Sequence, residues 1–187
     1  YFPINRIISG GVKLITPWDE LIPLWPIWTV PYLLSLLWWG ASDIWAAVKM
    51  DAKLLRAFGI AMITALLTSY AVFIFFPTYI ERPPLAGNDW ATRLLVLVYN
   101  NDQVNNAFPS GHTYTSVIIT LFWWRWFRRF GWLWTGMVAI VVLSTLFTKQ
   151  HYLLDPIGGI FWGWLAYRFG LWMSENWPVS RDHEIIS

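Results

Sequence analysis

The feature that most constrains this chain is a series of long apolar segments separated by short polar ones. Apolar residues make up 57% of the 187 residues, charged residues only 13%, and the mean hydropathy is +0.45. A soluble domain carries about 25% charged residues, and a disordered chain combines few apolar residues with a high net charge. A bilayer-spanning helix needs roughly 20 mostly apolar residues. The composition therefore predicts one all-α integral membrane domain over residues 1–187.

Five segments are apolar enough to be predicted as membrane spans. Residues 1–24 are too polar and too rich in proline to cross the hydrocarbon core, so we expect them to lie along the interface. Residues 90–99 have the pattern of a short amphipathic helix. Because the sequence begins at Tyr1 rather than Met, an additional upstream span is left open. The prediction is a polytopic helix bundle with spans at residues 26–48, 54–76, 110–126, 132–147 and 156–173.

The basic residues predict an orientation. If successive spans cross the bilayer in opposite directions, eight of the thirteen Lys and Arg residues fall on the same face of the membrane. The positive-inside rule predicts that this face is cytoplasmic. The other face points to the periplasm, the cell exterior or a lumen. No solvated basic run of the kind that binds nucleic acid is present. The eight residues are Lys49, Lys53, Arg56, Arg125, Arg128, Arg129, Arg168 and Arg181.

Three polar clusters fall together on the outer face. They contain Arg82, the sequence Pro109-Ser110-Gly111-His112, and the stretch from Lys149 to Asp155. Ionisable residues at membrane depth are costly and mark functional sites. Ser110 and Asp155 occupy N-cap positions of two predicted helices, whose free amides and positive dipole ends form an anion site. Gly111 has no side chain, so an anion can approach the backbone amides there.

These clusters supply the groups that phosphoryl chemistry needs. Arg82 can bind phosphate oxygens as a planar fork, and Lys149 can act as a point charge or merely contact lipid headgroups. His151 can attack phosphorus if a carboxylate orients it, and Asp155 lies four residues away. His112 can protonate the leaving oxygen. With no Cys and no carboxylate cluster near these histidines, we predict neither a metal nor a cofactor.

The three motifs, Arg82-Pro83, Pro109 to His112, and His151-x-x-x-Asp155, resemble those of the type 2 phosphatidic acid phosphatase superfamily in their usual order. The resemblance covers residues 75–159 and implies an all-helical membrane bundle with metal-independent chemistry on a lipid phosphate or diphosphate. It implies a phosphohistidine at His151, oriented by Asp155, with His112 as the general acid. It also implies that Arg82 and the Ser110–His112 stretch bind phosphate.

Two departures from that family pattern leave the reaction open. The family's first motif begins with Lys where this chain has Phe75, and its third motif has Arg where this chain has Thr145. We expect Lys149 to replace one of these cations. The His151-Tyr152 pair also resembles the inositol-phosphorylceramide and sphingomyelin synthase branch, so the acceptor is either water or an alcohol. A non-catalytic transporter is the alternative from another class.

Overall fold

The structure is a computed structural model that describes residues 10–176. Across that range the regular elements are helices, with two isolated bridge pairs and no strands, which confirms the all-α prediction. Each predicted span contains one long helix, and the amphipathic helix is present. Part of the predicted interfacial segment, residues 1–9, lies outside the described residues. The helices are α1 Pro17–Leu21, α2 Thr29–Lys49, α3 Ala52–Phe75, α4 Trp90–Asn101, α5 Gly111–Trp126, α6 Gly131–Phe147 and α7 Leu154–Asn176, with 3₁₀ turns at Pro26–Trp28 and Arg128–Phe130.

Two helical stretches are long and apolar enough to cross a bilayer by composition, Ala52–Phe75 and Arg128–Phe147. The five-span count therefore stays a prediction. Four helices, α2, α3, α6 and α7, nevertheless present large apolar side chains on the outside of the bundle, which a monomeric soluble protein rarely does over so wide an area. Examples are Leu37, Ile44, Leu67, Phe75, Trp132, Phe161 and Trp172. This outer surface, together with the two apolar stretches, supports a membrane protein.

Helix α5 forms the centre of the bundle. Its side chains at Ile118, Ile119 and Phe122 are fully buried, and it contacts α2, α3, α6 and α7. Helix α7 packs along both α3 and α5, whereas the consecutive helices α2 and α3 make few contacts with each other. The bundle is therefore closed around α5 and opens between α2 and α3.

Glycines allow α7 to approach its neighbours closely, as the sequence Gly159-x-x-x-Gly163 predicts. A Cβ built on Gly163 would lie 2.8 Å from the carbonyl oxygen of Tyr114 in α5. One built on Gly170 would lie 2.4 Å from the carbonyl oxygen of Ala57 in α3. Backbone-to-backbone packing therefore fixes the position of α7 at several points along its length.

The segment that follows α3 runs in an extended conformation across the end of the bundle. Thr78 pairs with Val12 on one side, and Tyr79 pairs with Asn105 on the other. The amide of Asn106 donates to the carbonyl oxygen of Thr78 at 2.7 Å. These short pairings hold the three outer-face segments together and bring the motif at Arg82 over the ends of α5 and α7.

Candidate active site

The N-termini of α5 and α7 meet at the centre of the site. The amide of Ser110 donates to the carbonyl oxygen of Asp155 at 3.1 Å. Ser110 is fully buried and caps α5, since its Oγ accepts from the amide of Thr113. Its oxygen thereby serves as the acceptor of the cap. The amides of Gly111 and His112 have no acceptor within the helix, so the backbone there presents donors and a positive dipole end.

Asp155 orients His151. Helix α7 begins at Leu154, so Asp155 lies in the first turn rather than at the predicted N-cap. Its buried Oδ2 accepts from the amide of Tyr152 at 2.9 Å and lies 3.2 Å from Nδ1 of His151. Because a carboxylate can only accept, this contact places the imidazole proton on Nδ1. Nε2 of His151 then carries the lone pair.

His112 lies on the other side of the site. Its ring stacks on Tyr32, with 4.4 Å between centroids, and packs against Trp39. Its Nε2 is buried and has no hydrogen-bond partner within residues 10–176. The rings of His112 and His151 are 6.3 Å apart between centroids and nearly perpendicular. One phosphoryl group can bridge such a separation.

The loop that carries His151 is anchored along its length. The hydroxyl of Tyr99 donates to the carbonyl oxygen of Thr148 at 2.7 Å. Burial raises the pKa of Tyr99 to about 12, although the nearby charge of Arg82 opposes this shift, so the phenol keeps its proton at physiological pH. Farther along, the hydroxyl of Tyr152 accepts from the amide of Glu81 at 3.0 Å. Helix α4 and the Arg82 segment thus both hold this loop.

Lys149 is not brought to the site in the way the sequence suggested. Its backbone adopts a left-handed conformation with φ of 52°, and its Nζ donates to the carbonyl oxygens of Asp19 and Ile22 at 3.0 and 2.5 Å. Partial burial lowers the pKa of this ammonium, and the Asp19 carboxylate opposes the shift. Asp19 also accepts from the amide of Leu153 at 2.7 Å. These contacts bind the His151 loop to the N-terminal segment, and Lys149 is not among the residues that line the cavity.

Arg82 is held by protein oxygens. Its Nη1 donates to the carbonyl oxygens of Asp102 and Tyr99 at 2.8 and 3.2 Å. Its Nη2 donates to the carbonyl oxygen of Gln103 at 3.2 Å and to Oε1 of Gln150, and the guanidinium lies over the Tyr99 ring. Arg82 does not line the cavity itself, but its partner Gln150 does. Direct phosphate contacts from Arg82, Ser110 and Lys149 stay predictions. In the structure the charged groups of Arg82 and Lys149 donate to protein oxygens, and Ser110 Oγ accepts from Thr113.

A cavity of about 380 Å³ lies between the two histidines and the open side of the bundle. At one end it is polar, and Gly111, His112 and His151 lie there. Toward α2 and α3 it is apolar, where Leu36 and Leu66 are also partly exposed on the outside of the bundle. The cavity therefore matches an amphiphile whose polar end lies at the histidines.

Two buried amides line this cavity; sequence reasoning did not single out Gln150 and interpreted Asn106 as a loop residue. Gln150 and Asn106 are 3% and 2% exposed. Nε2 of Gln150 and both side-chain polar atoms of Asn106 lack hydrogen-bond partners in the described part of the chain. Gln150 directly precedes His151, and Asn106 belongs to an Asn-rich stretch that the sequence indicates as loop. Their burial depends on the tertiary fold, so no local signal could have revealed it.

The two departures from the family pattern occupy different environments. Phe75, at the end of α3, is 85% exposed and does not line the cavity. Thr145 is buried, and its carbonyl oxygen accepts from the amide of Gln150 at 2.9 Å. Neither position provides a positive charge.

Within residues 10–176, no group of three or more metal-ligating side chains is gathered that could hold a metal ion.

The fold and the site define a helical protein with a histidine pair at the end of the bundle where the N-termini of α5 and α7 meet. The sequence profile described as the PAP2 superfamily matches residues 58–178. The chain belongs to this superfamily, as its three motifs predict. The match begins within α3 and includes each motif.

One curated relative matches only part of the chain, at low identity. The bacitracin transport permease protein BcrC of Bacillus licheniformis is 29% identical over 85 residues, which are 46% of this chain and 41% of the relative. The aligned region thus spans less than half of either protein. No solved structure matches the chain.

Proposed function

We propose that this protein is a metal-independent membrane phosphatase that hydrolyses a lipid phosphate or diphosphate through a phosphohistidine at His151. The observation that carries the proposal is the pair of imidazoles, His112 and His151, 6.3 Å apart beside two joined helix N-termini. Membership of the PAP2 superfamily supports a lipid phosphatase.

The proposed chemistry follows from the tautomer of His151 that Asp155 favours, in which Nδ1 carries the proton. Nε2 of His151 attacks phosphorus with its lone pair while the bond from phosphorus to the leaving oxygen breaks. His112 donates a proton to that oxygen. His112 then takes a proton from water, which attacks phosphorus and releases phosphate from Nε2 of His151. The amides of Gly111 and His112 stabilise the negative charge on the phosphoryl oxygens through both steps.

The shape of the cavity supports a lipid substrate. Pockets for small molecules usually measure 300–1,000 Å³, so about 380 Å³ holds a phosphorylated headgroup and the start of a chain. The apolar remainder of the substrate would leave between α2 and α3, where the helices make few contacts. By the distribution of basic residues, the site would face the periplasm, the cell exterior or a lumen.

The test is phosphate release from lipid phosphates and diphosphates by the purified full chain in detergent or vesicles. We expect turnover that vanadate inhibits and EDTA does not. His151→Ala should lower kcat by at least about 10³-fold, because it removes the nucleophile. Arg128→Ala, an exposed substitution in the Arg128–Phe130 turn, serves as the matched control and should keep full activity. EDTA sensitivity or an active His151→Ala variant would overturn the mechanism.

One observation favours a second candidate, a phosphotransferase that passes a phospho-headgroup from one lipid to an alcohol. Of the residues that line the cavity, none is Lys or Arg. A phosphodiester carries one negative charge and needs less cationic compensation than a phosphomonoester. Lipid product formed from a phosphodiester donor and an added alcohol, without released phosphate, would establish the transferase. If neither product forms with any lipid phosphate, the non-catalytic transporter remains.

A further inference from the structure

Two buried amides line the cavity, and most of their side-chain polar atoms have no hydrogen-bond partner within residues 10–176. Leaving a buried polar group unpaired is costly, and in native structures such groups need an explanation. Gln150 and Asn106 both line the cavity, with His112 and His151 among the other lining residues. Three of their four side-chain polar atoms have no hydrogen-bond partner in the described region, the exception being Oε1 of Gln150. The cavity thus contains pre-positioned hydrogen-bonding groups that no atom of the described residues uses.

We propose that Gln150 and Asn106 bind the phosphoryl group of the substrate through their side-chain N–H groups, as neutral replacements for the two cations that the sequence lacks. The inference rests on the proposed function and names further binding residues for that same site. The missing cations correspond to Phe75 and Thr145, and neither of these residues lines the cavity.

The orientation of Gln150 is fixed by Arg82. A guanidinium has donors only, so the side-chain atom of Gln150 that it contacts must be the oxygen. The NH₂ group therefore points away from Arg82. A charged donor on the oxygen polarises the amide and strengthens its N–H as a donor. Arg82 acts on the phosphoryl group through Gln150, and in this arrangement it is a positioning residue.

Asn106 is held by its backbone. Its φ of 58° lies in the left-handed region, which Asn adopts more readily than most residues. Its amide donates to the carbonyl oxygen of Thr78 at 2.7 Å. The side chain therefore has no part in fixing the turn, and its amide group is available to a ligand.

The decisive variant is Gln150→Glu. It keeps an oxygen for Arg82, so the structural contact is retained, but it replaces the free NH₂ by an acceptor with negative charge. We expect the melting temperature to be unchanged or raised, while KM for the lipid phosphate rises at least tenfold and the inhibition constant for vanadate rises in parallel. A purely structural role for Gln150 predicts an unchanged KM, and that result would overturn the proposal.

Asn106→Gly provides the second test. Glycine accepts the left-handed backbone without strain, so the turn is preserved while the amide side chain is removed. We expect a rise in KM of several-fold with a smaller change in kcat. Asn88→Asp, which places one negative charge on an exposed loop residue, is the matched control for added charge and should leave KM unchanged.

The two proposals fail in different ways. If the wild-type protein releases no phosphate and transfers no headgroup, the proposed function fails. If the wild type is active and His151→Ala is not, but Gln150→Glu and Asn106→Gly bind substrate and vanadate as the wild type does, the function holds and this inference fails. A weakened vanadate affinity in both variants, with melting temperatures maintained, supports it.

Discussion

The two ends of the helix bundle hold their turns by different means. At the end with the histidines, four separate segments are joined by hydrogen bonds from side chains to backbone, as between Asp19 and Leu153. At the opposite end aromatic packing is prominent, with Trp123 against Trp45, Trp126 and Trp134. Hydrogen bonds between side chain and backbone there join α3 to the end of α7, through Arg56 and Ser174. Aromatic packing tolerates small shifts, whereas a network of directed hydrogen bonds fixes positions closely. We infer that the hydrogen-bond network is found at the histidine end because the orientation of His151 must be fixed there.

The strongest way to test this comparison is to change one carboxylate at each end. Asp155→Asn keeps the size of the side chain, but its NH₂ group can favour the wrong tautomer of His151. We expect kcat to fall about 10²–10⁴-fold, as for comparable carboxylate-to-amide changes beside a catalytic histidine, with a melting temperature close to the wild-type value. Steady-state kinetics and thermal unfolding on the same preparation measure both quantities.

Asp51→Asn is the control at the opposite end. Asp51 caps α3, where its Oδ1 accepts from the amide of Leu54 at 2.9 Å. Asn caps helices as well as Asp does, so stability and activity should both match the wild type. A loss of activity in Asp51→Asn similar to that in Asp155→Asn would show that the two ends do not differ.

Glycine substitutions test the same comparison through packing. A Cβ on Gly159 would lie 2.7 Å from Cβ of Thr113 and 2.8 Å from the carbonyl oxygen of Ser110, beside the site. Gly159→Ala should destabilise by about 1–3 kcal/mol and also lower kcat roughly tenfold or more, because it shifts the helix N-termini whose geometry catalysis depends on. Denaturant unfolding and kinetics report the two effects separately.

Gly170→Ala is the counterpart away from the site. Its Cβ would lie 2.4 Å from the carbonyl oxygen of Ala57, so we expect a similar loss of stability of about 1–3 kcal/mol. The activity per folded molecule should be unchanged. Equal losses of activity in both variants would mean that the position of α7 affects the site as a whole rather than at its N-terminus. Gly136→Ala in α6 adds a Cβ that meets no atom within 4 Å. It therefore measures the effect of a Gly→Ala change on helix stability without a clash.

The anchoring of the His151 loop gives a smaller expected effect. Asp19→Ala removes the acceptor for the amide of Leu153, and it removes Oδ2, which accepts from the amide and the hydroxyl of Thr16. We expect a loss of about 1–3 kcal/mol in stability, since a buried amide is left unpaired, and a fall in kcat of several-fold with KM little changed. Asp51→Ala, which removes only a helix cap, should cost about 1 kcal/mol with no change in kcat. If Asp19→Ala keeps the wild-type kcat, the N-terminal segment does not position His151.

Sequence reasoning reached the helices and the histidine pair because both depend on local patterns. Apolar segments and caps such as Ser110 predict where helices begin, and the four-residue spacing of His151 and Asp155 puts them within contact across the turn that leads into α7. The partners of Arg82 and Lys149 could not be predicted in the same way. Their contacts come from segments as far away as Asp19, 130 residues before Lys149, and no periodicity encodes such a pairing.

Lys149→Ala is expected to have the smallest effect, and it separates the two interpretations of this residue. If the ammonium bound phosphate, its removal would raise KM. Because Nζ donates to the carbonyl oxygens of Asp19 and Ile22, we expect KM to stay within about twofold of the wild type. Stability should fall by about 1.5–3 kcal/mol, which is typical for hydrogen bonds to a charged group. Lys149→Gly removes the same side chain but suits the left-handed backbone, so it should be more stable than Lys149→Ala by about 1 kcal/mol. A tenfold rise in KM in both variants would instead show that the Lys149 ammonium binds the phosphate.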